Sequence, residues 1–219
     1  MKRELRITED GSHTLYVNDL DESYHSIHGA IQESVHVFIN QGFRKISQSY
    51  VRVLEIGFGT GLNMILTLRE SERTGIRVNY HAVENYPLTP EEYKKLNYDH
   101  MKEVNSKGLL TRAHDSQWDT SIKLTDSFTL YKELSDFRTM GPRGPFDLVY
   151  FDAFAPDKQP HIWSAEIFSK IHNVTVPGGV LVSYTSRGSI RRIIKTCGFK
   201  VEKVPGPPGK WEMIRATRI

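Results

Sequence analysis

Two hydrophobic periods take turns along the chain, one of two residues and one of three to four. Residues 4–7 and 13–17 alternate around Asp10-Gly11, which predicts an N-terminal hairpin. Ile27, Ile31, Val35, Phe38 and Ile39 then make a helical stripe over 26–40. A β-branched run at 51–56 predicts a buried strand, and a helical pattern follows over 62–72. A strand near 77–83 comes next, and Thr89-Pro90-Glu91-Glu92 opens another helix. There Thr89 suits the N-cap, Pro90 the first helical position and Glu92 the third. Residues 97–126 are polar and ambiguous, and read as helix and loop. Strands are predicted at 128–132 and 147–151, a helix over 163–172, and a strand from Val180 to Tyr184 after Pro177-Gly178-Gly179. A helix over 188–196 and strands at 199–204 and 211–217 complete the pattern. Alternating strands and helices argue for a parallel, doubly wound α/β sheet. The last two strands are joined by Pro205-Gly206-Pro207-Pro208-Gly209 with no helix between them, so an antiparallel strand is expected at the end.

The most informative junction is Val51-Arg52-Val53-Leu54-Glu55-Ile56-Gly57-Phe58-Gly59-Thr60-Gly61-Leu62-Asn63. An apolar strand stops at glycines on alternate positions and a helix begins at once. Glycine is needed where a Cβ would block a positive-φ turn or the approach of a ligand. A dinucleotide fingerprint wants G-x-G-x-x-G, but the third glycine comes one residue early, at Gly61. With Glu55 ahead of the glycines, the spacing resembles the E/D-x-G-x-G-x-G motif of S-adenosylmethionine-dependent methyltransferases.

Composition narrows the picture further. At 219 residues and 38% hydrophobic, the chain can bury one full core, and a single domain is expected. No apolar run is long enough to cross a bilayer, and no signal-peptide core follows the charged N-terminus. Cys197 is the only cysteine, so an internal disulfide is impossible and a reducing cytoplasm is the simplest home. Its neighbours Ile194 and Phe199 suggest a buried packing residue rather than a nucleophile. The net charge is only +3, yet from Arg187 to Ile219 nine Lys/Arg face two acids. That basic end is either a solvated helix face or a footprint for a polyanion.

Candidate chemistry collects at strand ends, where ligands of open α/β sheets bind. Glu55 lies at the end of the first parallel strand, Glu84 at the end of the second and Asp152 at the end of the fourth. A carboxylate after the second strand suits a ribose, whose two hydroxyls can both donate to it; otherwise Glu84 is an ordinary rim residue. Asp152 sits in Phe151-Asp152-Ala153-Phe154-Ala155-Pro156, a stiff loop. It can orient an amine and take its proton, or simply hold the loop's shape. Histidines 81, 100, 114 and 172 have no ligand-like spacing, so no metal is proposed. Trp163 and Trp211 are core aromatics or stacking surfaces for a base; Trp163 is assigned to core or pocket wall and Trp211 is left open.

At this point the chain resembles the tRNA 5-methylaminomethyl-2-thiouridine methyltransferase family, whose domain is either fused to an FAD-dependent oxidase or stands alone. The resemblance rests on segments spread nearly end to end. They are Tyr24-His25-Ser26 with Gly29, Glu33 and Val37-Phe38, then Glu55 to Asn63, then Val83 to Leu88. After these come Phe151 to Pro156 with Lys158, Pro160 and Trp163, then Pro177-Gly178-Gly179, Thr185-Ser186, Arg191-Arg192, Lys210 and Glu212-Met213. It implies a class I (Rossmann-like) methyltransferase sheet with a C-terminal antiparallel strand and a small N-terminal extension. Residues 1–48 would cover the cofactor site and 49–219 would form the core. It further implies that S-adenosylmethionine is held by Glu55, Gly57, Phe58, Gly59, Gly61, Asn63, Glu84, Asn85, Asp152 and Ala153. Tyr24, Ser26 and Glu33 would close over it. Asp152 would face the amine, with Phe154 and Trp163 on the substrate side. The family usually has Gly-Asp after the third strand to meet adenine; here Leu134-Ser135-Asp136 makes Asp136 the candidate. Asn85 stands where a lysine is common. The chain has no room for the oxidase, so a stand-alone form is expected, with a separate enzyme supplying the aminomethyl substrate.

The reading that follows is methyl transfer to the exocyclic aminomethyl nitrogen of a tRNA wobble uridine. Arg187, Arg191, Arg192 and Lys210 would grip the anticodon stem-loop phosphates. Its rivals are a methyltransferase for a small-molecule amine, an NAD-binding oxidoreductase, and an RNA-binding module with an inactive cofactor pocket. The early third glycine and the terminal antiparallel strand count against the second, and intact Glu84 and Asp152 against the third.

Overall fold

The computed structural model describes residues 2–139 and 143–219. Its centre is the glycine-terminated run, which forms β4 (Tyr50–Ile56) and leads through left-handed Gly61 into α2 (Leu62–Thr74). Around it lie β5 (Arg77–Glu84), β6 (Ser121–Thr125), β7 (Phe128–Leu134) and β8 (Phe146–Phe151). Three more strands follow: β9 (Thr175–Ser183), β10 (Phe199–Pro205) and β11 (Glu212–Arg218). They form one eight-stranded sheet of order β10-β11-β9-β8-β4-β5-β7-β6. β4 pairs in parallel with β5 on one side and β8 on the other, so the order reverses at β4. β5–β7 and β8–β9 are also parallel, whereas β11 runs antiparallel between β9 and β10. The expected terminal antiparallel strand is therefore present, joined by the proline-glycine loop.

Burial explains why these residues choose these elements. Parallel strands covered on both faces need apolar side chains throughout, and all six residues of β8 are buried. Its one acid, Asp147, accepts three bonds from Arg52, through the backbone N–H at 2.8 Å and the guanidinium at 2.9 and 3.0 Å. One face of the sheet packs against α2 and α4 (Leu109–Asp115) through Leu62, Ile65, Leu66, Leu110 and Ala113. The other packs against α5 (Ala165–Val174) and α6 (Gly188–Thr196) through Ile167, Phe168, Ile171, Ile190 and Ile194. Cys197 is half-buried beside the second cluster rather than enclosed in it.

Three local expectations need correction. The helix expected over 26–40 begins at α1 (Ala30–Ser34) and continues as a wider π-type turn over Val35–Asn40. Gly29, at φ 145°, lies against Asp10, whose carboxylate accepts the Gln32 N–H at 3.1 Å. That contact fixes the helix start and leaves Ile27 off the buried stripe. The helix after Thr89 is a single turn, α3 (Pro90–Tyr93), although its capping box forms, with Thr89 N–H on Glu92 at 2.8 Å. The ambiguous region 97–126 holds both α4 and the edge strand β6. A short edge strand with one buried residue carries too little alternation to be read in advance.

The N-terminal residues form a separate antiparallel sheet of β1 (Arg3–Ile7), β2 (His13–Val17) and β3 (Glu22–Ser23). Arg3 fastens it to the main sheet. Its guanidinium donates to the Tyr24 hydroxyl at 3.0 Å, the Glu92 carboxylate at 2.9 Å and the Tyr86 carbonyl at 2.6 Å. Charge-assisted bonds of a nearly buried side chain are the strong kind. Arg3→Ala is expected to lower unfolding free energy by about 2 kcal/mol and to speed amide exchange over residues 22–27. Denaturant titration and hydrogen exchange check this; unchanged values would mean the hairpin is held elsewhere.

Candidate active site

The carboxyl ends of β4, β5, β7 and β8 open into a cavity of about 770 Å³, roofed by residues 20–27 of the N-terminal segment. Its floor is the glycine turn. Gly57 donates to the Val83 carbonyl at 3.0 Å and Asp152 to the Ile56 carbonyl at 3.1 Å, so all three strands stay paired to the rim. At Gly57, φ is 93° and a Cβ would lie 2.7 Å from the Asp152 carbonyl oxygen. At Gly59, φ is 50° and a Cβ would press on the Tyr24 ring at 3.0 Å. Both positions therefore require glycine.

One half of the cavity suits a nucleoside. Glu84 is held by two backbone donors, Gly59 N–H at 3.0 Å and Tyr86 N–H at 2.7 Å, one on each carboxylate oxygen. Each oxygen keeps a lone pair for a further donor, the arrangement a vicinal diol needs. Asn85 lines the same side. Asp136 also lines the cavity, but Arg138 chelates its carboxylate and holds it below the usual range. Phe137, 4% exposed, and Ile162 supply apolar wall beside it. Phe137 escaped sequence reasoning, although an aromatic directly after a strand-end acid was the available signal.

The other half is acidic. Asn63, on the first turn of α2, donates to Glu55 at 3.0 Å and to Asp152 at 2.7 Å. Glu55 is fully buried, and burial together with the Asp152 charge raises it far above the ordinary carboxyl range, so it keeps its proton. Asp152 is pushed up to about 7, first by loss of solvent and then by the charges of Glu33 and Glu22; the Asn63 bond and Lys210 oppose this. Glu33 accepts the Ser26 N–H at 2.8 Å and the Lys210 ammonium at 2.9 Å. That ammonium also lies 4.2 Å from the centre of the Tyr184 ring, whose hydroxyl donates to the Ala153 carbonyl at 2.9 Å. Glu22 accepts the Ala155 N–H at 3.1 Å. Glu22 and Tyr184 had no motif to announce them, because folding alone brings them to Asp152.

The expected site residues separate by depth. Tyr24, Ser26, Glu33, Gly57, Phe58, Gly59, Asn63, Glu84, Asn85, Asp136, Asp152, Ala153, Phe154 and Lys210 line the cavity. Glu55 and Gly61 stand behind its wall. Trp163 lies in the core, in keeping with its assignment to core or pocket wall, and not on the substrate side that the resemblance implies: it is 2% exposed, packed on Phe151 and Phe168, and donates its indole N–H to the Phe154 carbonyl at 2.8 Å. It shapes the loop from within the core and offers no surface to a substrate. Lys210 is likewise no outer phosphate contact, since Glu33 holds it inside the cavity. Arg187 is exposed and paired with Asp157, while Arg191 and Arg192 curl back toward Gly188 at the start of α6. Among the described residues, no group of three or more His, Cys, Asp or Glu is arranged to hold a metal ion, and no helix is long and apolar enough to cross a membrane.

A family model described as S-adenosyl-L-methionine-dependent methyltransferase matches residues 91–219. The tRNA 5-methylaminomethyl-2-thiouridine biosynthesis bifunctional protein MnmC of Pseudomonas fluorescens (strain Pf0-1) is 30% identical over 209 residues, 89% of this chain and 32% of that protein. The protein of the same name from Pseudomonas savastanoi pv. phaseolicola is 28% identical over 99% of this chain and 35% of its own length. The chain thus spans about a third of the length of these curated relatives. Among solved structures, MNMC2 from Aquifex aeolicus matches with a TM-score of 0.82 and 27% identity, covering 98% of this chain and 69% of that one. Spermidine synthase from Thermotoga maritima matches with a TM-score of 0.54 and 14% identity over 100% of this chain and 72% of that one, a likeness of fold alone. With its sheet order, glycine turn and matched family model taken together, this chain belongs to the S-adenosyl-L-methionine-dependent methyltransferases of class I fold.

Proposed function

We propose that the chain, as one methyltransferase domain over 1–219, methylates the aminomethyl nitrogen of 5-aminomethyl-(2-thio)uridine at the wobble position of tRNA. The observation that carries this reading is the placement of Asp152, aimed by Asn63 beside Glu22 and Glu33 in the acidic half of the same cavity whose other half suits a nucleoside. The relatives' names speak of tRNA 5-methylaminomethyl-2-thiouridine biosynthesis, which agrees with an amine borne on a nucleobase. Such a substrate would be made by a prior reaction that installs the aminomethyl group on the uridine, and the cytoplasm is where tRNA would be met.

The residues present fit the cofactor. Glu84 offers two fixed oxygens to a ribose, Phe137 and Ile162 an apolar wall to a base, and the glycine turn an open backbone. When bound, S-adenosylmethionine supplies a methyl carbon on a sulfonium, an electrophile that needs no further activation. The work left to the protein is positioning and proton removal. An alkylamine enters as its ammonium form, which the carboxylates of Glu22, Glu33 and Asp152 attract. Asp152 accepts one ammonium proton and frees the nitrogen lone pair. Asn63 keeps the Asp152 carboxylate aimed by donating to it from below. Lys210 neutralises Glu33 and the Ala155 N–H engages Glu22, so Asp152 is the acid left to work.

Recognition of the RNA beyond the target base falls to the basic C-terminal end, from Arg187 onward. Arg187, Arg191 and Arg192 surround the start of α6 at the cavity side of β9, where phosphate contacts would make binding fall steeply with salt.

Incubation of the protein with S-adenosylmethionine and tRNA lacking the modification, followed by mass spectrometry of wobble nucleosides, is expected to show 5-methylaminomethyl-uridines. Methylation of free amines with none in tRNA would favour the small-molecule reading instead. Asp152→Asn is expected to cut turnover by roughly 100-fold or more with cofactor affinity nearly unchanged. The working form is the carboxylate, so wild-type kcat/KM should rise with pH through about 7, and the variant should lose that step. The stability sign runs the other way. A carboxyl raised in the fold destabilises when ionised, so the variant should melt above wild type at pH 8 and equal to it below the unfolded carboxyl range. Equal turnover in the two proteins would remove Asp152 from the reaction.

A further inference from the structure

Trp211 is 97% exposed, while the other described tryptophans are half-buried or buried. A lone exposed hydrophobe needs no explanation by itself. This one differs in what holds it. It ends the loop between β10 and β11, and the neighbouring Lys210 reaches into the cavity. The loop is stiff: Pro205, Pro207 and Pro208 fix three backbone angles, and Gly206 donates to the Trp211 carbonyl at 3.1 Å. Lys210 donates to the Pro207 carbonyl at 2.9 Å, and His36 bonds the Pro205 carbonyl at 2.8 Å. Gly209 lies so close to His28 that a Cβ would meet its ring at 2.5 Å. His28 in turn follows Ser26 and Ile27, which line the cavity.

We propose that Trp211 is a stacking platform for a nucleobase that flanks the target base of the RNA substrate. The inference rests on the RNA reading above and extends it to a residue outside the cavity. A base whose substituent reaches Asp152 must leave its own stack, which exposes the face of a neighbour. An indole carried to the cavity rim by a fixed loop replaces that lost stacking, and little backbone ordering cost remains. The stretch of chain that carries it is basic, nine Lys/Arg against two acids from Arg187 to Ile219, a balance that suits RNA as partner. Stacking reads any base, so the platform adds affinity and register rather than sequence choice.

The test uses anticodon stem-loops carrying 5-aminomethyluridine at the wobble position, with a base removed at each flanking position in turn. Binding to wild type, Trp211→Ala and Trp211→Phe is measured by anisotropy of labelled RNA. Trp211→Ala is expected to weaken binding about tenfold, and Trp211→Phe to keep most of it. Removing one particular flanking base should weaken wild type by a similar factor and leave Trp211→Ala unaffected. Affinity for S-adenosylhomocysteine should be the same in all three proteins. If wild type methylates the stem-loop but Trp211→Ala binds it equally well, the platform is overturned and the methyltransferase reading stands. Independent, additive losses from the residue and the base would also overturn it. If wild type neither binds nor methylates the stem-loop, both readings fall together.

Discussion

The structure turns on one buried amide. Asn63 sits where the glycine turn becomes a helix, and its single NH2 group reaches carboxylates at the ends of two neighbouring strands. Glu55 belongs to β4 and Asp152 follows β8, the pair between which the sheet reverses its order. Two ionised carboxylates could not share that amide inside a closed core. Burial settles the conflict by keeping the proton on Glu55, which lies deeper, and leaving Asp152 free to ionise toward the cavity. The same turn presents Gly59 to Glu84, so the nucleoside half and the acidic half are set by two residues four positions apart, one in the glycine turn and one in the first turn of α2.

Charge around this centre is arranged to be used rather than merely neutralised. Glu33 is committed to Lys210 and Ser26, and Glu22 to a backbone N–H of the Asp152 loop. Both therefore shape the field on Asp152 while their own positions stay fixed. The cover is fixed in the same way at Tyr24, whose hydroxyl accepts from Arg3 and whose ring packs edge-on against Phe154, the ring centres 5.0 Å apart. A cavity between a rigid sheet edge and a pinned cover keeps its distances, which is what in-line transfer needs.

Much of this was legible in the sequence, and the reasons are specific. The run from Val51 to Asn63 announces strand, turn and helix because each needs a different residue type at a fixed place. Glu84 and Asp152 are readable because strand ends are where ligands bind. The edge strand β6 and the late start of α1 were not, since one depends on a partner strand and the other on a contact between Gly29 and Asp10 from the hairpin. The substrate-side role that the resemblance implies for Trp163 fails because the same motif residue can serve a loop from inside or a ligand from outside, and only burial distinguishes the two. Glu22, Tyr184 and the inward turn of Lys210 are products of tertiary folding, with sequence separations too large for any motif to encode.

One continuous cavity is lined by both Glu84 and Asp152 and is expected to seat the cofactor's ribose on the first and its reacting end before the second. A crystal structure with S-adenosylhomocysteine is the sharpest test. Both ribose hydroxyls are expected on the Glu84 carboxylate, with the sulfur turned toward Asp152. A ligand bound in the reverse sense, or one whose sulfur is walled off from Asp152, would contradict it.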